Sequence, residues 1–440
     1  MDADRALYGD DPRHEAEYWS FQGRAERKFA HGFLQYPAMM VPQMQGELID
    51  LVRAQDPNIE HVWDPFVGAG TILAEVMLRG LRFTGNDINP LAVLVSQTKR
   101  GPFHVRATEE KLRTLFERIK ADQAPNTDVD FAGRDKWFSP TAVAALCKIR
   151  RAIRSEPALW ARRFFWVAMA ECVRLTSNSR TSTYKLHIRP DLDQRRTRED
   201  VMQVFEKIIE KNFLHLQNFR GYLEHQGFLK NGYYKNRIDV ALADTANLQP
   251  KFIKSKDVDL IITSPPYGDN RTTVPYGQYS YLPLSWIDLA DIDTKADKSI
   301  LNSTNTIDSQ SLGGSARFHS HKSEQLCSKY SKYFELEGRL QSKSTDARKK
   351  VASFFYDFDS CIDPLLDRLK DNGLMVWTIG NRTVANTQIP FDSIFRQMMQ
   401  SRGVKIIKEI NRKIPSKRMA KKNNITETMT SELIIILRKT

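Results

Sequence analysis

The stretch His61 to Pro90, "HVWDPFVGAGTILAEVMLRGLRFTGNDINP", decides the fold. A short apolar run enters a glycine-rich turn, "VGAG", a helical pattern follows in "TILAEVMLRG", and "LRFTGNDINP" reads as a second strand. Strand, turn, helix and strand in immediate succession make a βαβ unit, the building block of a doubly wound sheet. Gly68 and Gly70 let the backbone turn tightly and approach a ligand, while the start of the following helix offers free N–H groups. Asp87 stands 19 residues after Gly68, at the end of the second strand, where a carboxylate can accept hydrogen bonds from ribose hydroxyls. The corner therefore predicts a nucleoside-bearing cofactor. The third glycine of the dehydrogenase fingerprint GxGxxG is absent, which argues against nicotinamide.

Outward from this unit the chain changes character twice. Between 101 and 231 the periodicity is helical, in "EEKLRTLFERIKAD", "PTAVAALCKIRRAIRS", "LWARRFFWVAMAECVRL" and "REDVMQVFEKIIEKNFLHLQNF". Strand-like runs then return: "RIDVALADTANL" from 237, "VDLIIT" at 258–263, "GLMVWTIGN" from 373, "GVKIIKEIN" from 403 and "ELIIILRK" from 432. A Ser/Lys/Gln-rich stretch with "LGGSARFHSHKSEQ" separates the second of these from the third. The prediction is one α/β domain, a Rossmann-like doubly wound sheet interrupted by a helical insertion and by a second, polar insertion. Its parts are 1–100 (cofactor half), 101–231 (helical insertion), 232–290 (a strand and the loop after it), 291–350 (polar insertion) and 351–440 (C-terminal half).

Composition narrows the partners. The chain has 440 residues, 41% hydrophobic, and a formal charge of +13 gathered into the blocks "KIRRAIRS", "ARRFFW", "DLDQRRTRED" and "RKIPSKRMAKKNN". Together these blocks favour a polyanion, nucleic acid before all others. No apolar run is long enough for a membrane span, and the polar, acidic start predicts no signal peptide, so a cytoplasmic protein without membrane contact is expected. Cys147, Cys172, Cys327 and Cys361 show no metal-binding or disulfide spacing, and no metal is expected.

The stretch "DLIITSPPYGDN", Asp259 to Asn270, carries the chemistry. An apolar strand ends in two prolines, which stiffen the backbone just before a tyrosine. "DPFVGAGT", "NDINPLA" and "TSPPYGDN" together resemble the amino-methyltransferases of DNA, and "FLQYPAMMVPQM", "VWTIGNRTV", "IPSKRMAKKN" and "MTSELIIILRK" are similar to further parts of that family. The resemblance covers roughly 28–100, 237–285 and 350–440. It implies S-adenosylmethionine as cofactor, held by Tyr36, Pro37, Asp64, Phe66, Gly68, Gly70, Thr71, Asp87, Ile88 and Asp244. Phe29 is a further candidate to pack against it.

An exocyclic amine is a poor nucleophile because its lone pair is delocalised into the ring. Fixed acceptors facing the NH₂ group would draw the nitrogen toward tetrahedral geometry: here the Ser264 side chain and the carbonyl of Pro265, held by the Pro265–Pro266 pair. Tyr267 would stack on a base rotated out of the helix. Serine at the first place of "SPPY" resembles the cytosine-N4 enzymes, so the expected activity is methylation of cytosine N4 in duplex DNA, within a restriction-modification system with a cognate endonuclease. Adenine-N6 and RNA amino-methyl transfer are the alternatives. Methylation at cytosine carbon 5 would need a cysteine nucleophile, typically after proline, and no cysteine here follows one. Expected DNA contacts are Arg412, Lys413, Lys417, Arg418, Lys421 and Lys422, on a loop emerging at the active-site edge, with Arg180 and Lys185 from a polar loop.

Overall fold

The computed structural model describes residues 17–440 other than 126, 191–199, 250–251, 271–272, 295, 342 and 415–428. The apolar runs become seven strands: β1 (His61–Asp64), β2 (Arg82–Asp87), β3 (Ile238–Leu242), β4 (Val258–Thr263), β5 (Leu369–Ile379), β6 (Lys405–Lys413) and β7 (Ser431–Arg438). They form one sheet in the order β3-β2-β1-β4-β5-β7-β6, parallel except for β7, which runs antiparallel to both its neighbours. The chain starts in the middle with β1, winds out to β3 and returns to β4. The strand order therefore reverses between β1 and β4, and a crevice opens beyond their carboxyl ends.

Alternation along each strand builds two cores. Val62, Leu260, Ile262, Val376 and Ile434 belong to one, while Trp63, Ile261, Met375, Trp377 and Ile435 belong to the other. Helices α1 (Pro42–Gln55), α2 (Thr71–Met77) and α3 (Pro90–Lys99) bury their apolar residues in the first core. The predicted helical insertion forms α4 (Val105–Ala121), α5 (Pro140–Arg154), α6 (Leu159–Thr176) and α7 (Val201–His225). It shares the first core: α6 packs on α3, and Phe164, Phe165 and Phe219 lie in the same apolar cluster as the sheet residues. Helix α8 (Tyr276–Trp286), after β4, packs on α6.

The second face is covered by α9 (His319–Lys329), α10 (Ser331–Gln341), α11 (Thr345–Arg368) and α12 (Phe391–Gln400). The polar insertion is thus largely helical. Its Leu326, Tyr330, Tyr333, Leu336 and Leu340 are buried beneath polar outer surfaces, and that thin apolar stripe is why its composition reads as polar.

Two of the four basic blocks turn inward. Arg150 donates to the Trp286 carbonyl, Arg151 is paired with Asp122 and Asp128, Arg162 with Asp291, and Arg163 donates to the Asp291 carbonyl. These arginines brace α5 and α6 against neighbouring segments, while Arg154 of the first block is exposed. The block at 191–199 lies outside the described residues. No described helix is long and apolar enough to cross a membrane. All four cysteines are free, and three of them are buried.

Candidate active site

The turn after β1 is shaped by two left-handed glycines, Gly68 at φ 48° and Gly70 at φ 71°, a region that side-chain-bearing residues rarely enter. Gly70 also packs where a Cβ would meet the Ser96 hydroxyl at 2.8 Å. The turn brings the Gly68 amide onto Asp87, whose Oδ2 accepts from Gly68 at 3.0 Å while Oδ1 accepts from the Asn89 amide at 2.8 Å. Burial pushes the Asp87 carboxyl up to about 6, against the stabilising pull of these two amides. Asp64, at the end of β1, is fully buried. Its Oδ1 accepts from the Thr263 hydroxyl at 2.6 Å and from the Phe66 amide at 3.1 Å, whereas Oδ2 has no hydrogen-bond partner among the described residues. Burial, with Asp87 nearby, raises Asp64 to about 7.

An open cleft of about 950 Å³ of empty space lies over this turn. Of the residues expected at the cofactor, Tyr36, Pro37, Phe66, Gly68, Thr71, Asp87, Ile88 and Asp244 line it. Asp64 and Gly70 do not: the first lies beneath the turn and the second is turned against Ser96, so both shape the loop from behind. Phe29 packs on Phe219 and Tyr222, away from the cleft. Ser264 and Pro266 line the same cleft. The cofactor corner and the strand-end loop therefore open into one cavity.

Tyr267 and Pro265 do not line it. Pro265 is buried, and the Tyr267 hydroxyl lies 3.1 Å from Ser264 Oγ and 3.1 Å from Glu432 Oε1 at the start of β7. Burial first, and the Glu432 carboxylate second, push the Tyr267 hydroxyl well above the ordinary phenol range, so it keeps its proton. Beyond it, Asp269 is paired with Arg382, which follows β5, and the guanidinium passes so close to Gly268 that a Cβ there would lie 2.1 Å from its central carbon.

Arg412 is 5% exposed and bonds Glu432 through Nη1 at 2.6 Å. Its guanidinium faces the site from inside the sheet, which corrects its assignment to DNA phosphate. Lys413 is 68% exposed and paired with Glu17. Lys417, Arg418, Lys421 and Lys422 lie outside the described residues, but the flanks of their segment are placed. β6 runs parallel to β4 and β7 returns antiparallel, in line with the expectation from sequence, and the Ile414 amide donates to the Thr430 carbonyl just beyond them. That connection leaves from the sheet edge at which the cleft opens. Arg180 and Lys185 are exposed on a small hairpin closed by Ser179 and Ile188, and the hairpin meets α8 through Tyr184 against Tyr279.

Several wall residues escape a reading of the sequence. Tyr276 stacks on Tyr36 with ring centroids 5.7 Å apart, and Asn89 Nδ2 donates to both the Tyr36 and Ser280 hydroxyls at 2.8 Å. Asn89 carries one signal, an Asn-Pro pair opening a helix, and its side chain does cap α3. Ile307, Gln310, Ser311 and Leu312, from the polar insertion, close the cleft from above. They carry no local signal because their role depends on how the insertion folds back.

This set of groups fits a nucleoside. Asp87 supplies a carboxylate acceptor at the end of β2. Tyr36, Tyr276, Phe66, Pro37 and Met39 supply aromatic and apolar walls.

The family model described as DNA methylase, of the N6/N4 type, matches residues 258–440. The chain is 31% identical to the type II methyltransferase M.MvaI of Kocuria varians over 442 aligned positions, covering 96% of this chain and 94% of the relative. It is 27% identical to the type II methyltransferase M.MjaII of Methanocaldococcus jannaschii over 94 residues, 21% of this chain and 17% of that one. Among solved structures it is similar to an rRNA methyltransferase, aviRa from Streptomyces viridochromogenes, at a TM-score of 0.33 and 10% identity, covering 92% of this chain and 86% of that one. With the glycine turn, Asp87 and the SPPY loop gathered on one cleft and a relative of this identity along nearly its whole length, the chain belongs to the S-adenosylmethionine-dependent DNA methyltransferases of the N6/N4 type.

Proposed function

We propose that this protein methylates the exocyclic N4 of a cytosine rotated out of duplex DNA, as the modifying half of a restriction-modification system. The observation that carries the reading is that Ser264 opens into the same cleft as Gly68 and Asp87, so an amine held by the serine meets the cofactor corner directly. A serine in this place of the tetrapeptide, and a relative designated a type II methyltransferase, support cytosine N4 and a cognate endonuclease acting on the same site.

Bound in the cleft, S-adenosylmethionine supplies a methyl group on a cationic sulfur that leaves as a neutral thioether. Asp87 would accept from its ribose, and Tyr36, Tyr276 and Phe66, which line the cleft, would hold its apolar surface. Ser264 and the Pro265 carbonyl accept the two N–H groups of the amine, and the nitrogen lone pair is freed from the ring as the nitrogen pyramidalises. With its lone pair free, N4 would be the nucleophile for the methyl group the cofactor would supply, and the surplus proton on N4 would pass to water. Tyr267 backs the extruded base. The exposed Arg180 and Lys185, with the segment between β6 and β7, meet the phosphates, and the work is done in the cytoplasm where the DNA lies.

Nucleoside analysis of DNA from cells expressing the protein, with sequence mapping of the modified base, tests the reading. N4-methylcytosine at one short site is the expected result. N6-methyladenine in its place, or modification confined to RNA, overturns it.

A further inference from the structure

Four side chains from three parts of the chain form a continuous line into the cleft. Arg412 Nη1 lies 2.6 Å from Glu432 Oε2, Glu432 Oε1 lies 3.1 Å from the Tyr267 hydroxyl, and that hydroxyl lies 3.1 Å from Ser264 Oγ. Arg412 and Glu432 are direct cross-strand partners in the antiparallel pair of β6 and β7, so the ion pair is set by register and is largely buried. The inner end of the line is therefore fixed, and its outer end is the residue placed at the reacting amine.

The line has a direction, and the inventory of donors dictates it. A carboxylate only accepts, so the Tyr267 hydroxyl donates its proton to Glu432. The tyrosine oxygen is then the acceptor in its bond with Ser264, and Ser264 spends its own proton on the tyrosine. What Ser264 turns toward the cleft is lone pairs alone. An amine offers protons and a keto oxygen offers none, so a serine fixed in this sense accepts from the first and repels the second.

We propose that Glu432, anchored by Arg412, is a positioning residue that acts through Tyr267 to hold Ser264 as a pure acceptor, so that the site takes the 4-amino group of cytosine and rejects the 4-oxo group of uracil. The inference rests on the reading of Ser264 as the acceptor for the target amine. It assigns the tyrosine hydroxyl a role separate from that of its ring, and it gives Arg412 a place in discrimination between bases without touching DNA.

The test compares binding of two duplexes, with no cofactor present, that carry the modification site with cytosine or uracil at the target, each opposite an abasic position so that extrusion costs the same. The parent protein is expected to prefer cytosine. In Glu432→Gln the Arg412 guanidinium claims the amide oxygen, the amide nitrogen donates to Tyr267, and the proton order reverses down to Ser264, which then offers its proton to the uracil oxygen. The cytosine-to-uracil ratio should fall by about fivefold or more, the scale of one buried polar group left without its partner. Tyr267→Phe, which leaves the ion pair intact and carries the test if Glu432→Gln does not fold, frees the serine to rotate and should lower the ratio without inverting it. The double variant should match Tyr267→Phe alone, since Glu432 acts only through that hydroxyl. Single-turnover methyl transfer should fall in each. A ratio that stays within twofold of the parent in both variants, while Ser264→Ala abolishes it, overturns the relay. If Ser264→Ala alters neither the ratio nor the rate, the assignment of Ser264 itself is what fails.

Discussion

Asn270 donates through Nδ2 to the Ser311 hydroxyl at 2.7 Å, tying the strand-end loop to the segment that closes the cleft. Asn270 is 4% exposed, and among the described residues its Oδ1 has no partner, so its side chain makes one hydrogen bond there while one buried acceptor is left unmet. Ser311 in turn donates to the Asp308 carbonyl at 2.9 Å. Asn270→Ala should therefore release the roof at little cost to the rest. The expected outcome is a loss of about two- to tenfold in cofactor affinity by calorimetry, the range of one hydrogen bond, with the melting temperature essentially unchanged.

Asp87 gives cofactor binding a pH dependence. The ionised carboxylate is the form that accepts from ribose, and it titrates near 6 in the free protein. Affinity should rise as the pH climbs through about 6 and level off above it, with protons released on binding in that window. Asp87→Asn should lose about tenfold to a hundredfold at neutral pH and flatten the profile. The check is a calorimetric titration series in buffers of differing ionisation enthalpy. A parent profile flat from pH 5 to 8 would remove Asp87 from the binding equilibrium.

Asp64 affects folding instead. Its carboxyl is raised from 3.8 to about 7, so between those values the native state holds a proton that the unfolded chain has released. Stability tied to this group is complete below pH 4 and is lost as the pH rises toward 7. One proton of this kind contributes a slope of at most about 1.4 kcal/mol per pH unit. Asp64→Asn should flatten the dependence of unfolding free energy on pH between about 5 and 7, measured by urea melts at closely spaced pH values, whatever it does to the absolute stability.

The connection between β6 and β7 carries Lys417, Arg418, Lys421 and Lys422 with almost no acid nearby in sequence, and it leaves from the edge where the cleft opens. Replacing all four with glutamine should weaken binding to every duplex alike and reduce the steepness of its salt dependence. Each phosphate that is no longer neutralised lowers the logarithmic slope by about 0.9. Weaker binding at an unchanged slope would place these cations away from phosphate.

The sheet was legible because its central strands are buried and read as apolar runs, and the cofactor turn was legible because Gly68, Gly70 and Asp87 act through local spacing. Arg412 was misread because alternation along β6 puts it on the same face as the buried Ile410, while Lys413 points outward, so a basic block was split by a period of two. Glu432 had no local signal, since its partner Tyr267 is 165 positions away. The same gap affected Tyr267. From the sequence the ring alone matters and Tyr267→Phe is expected to be mild, whereas the structure gives the hydroxyl two partners.

The passage of Arg382 across Gly268 bears on how the two positions can change over time. The glycine of "SPPYGDN" sits at no left-handed φ; its requirement is room, because a methyl group would fall on the guanidinium that pairs with Asp269. A side chain at position 268 therefore requires the Arg382 side chain to move or shorten. In homologous chains where position 268 gains a side chain, position 382 should have shed its arginine and position 269 its acid, and Gly268→Ala introduced here should be rescued by shortening Arg382.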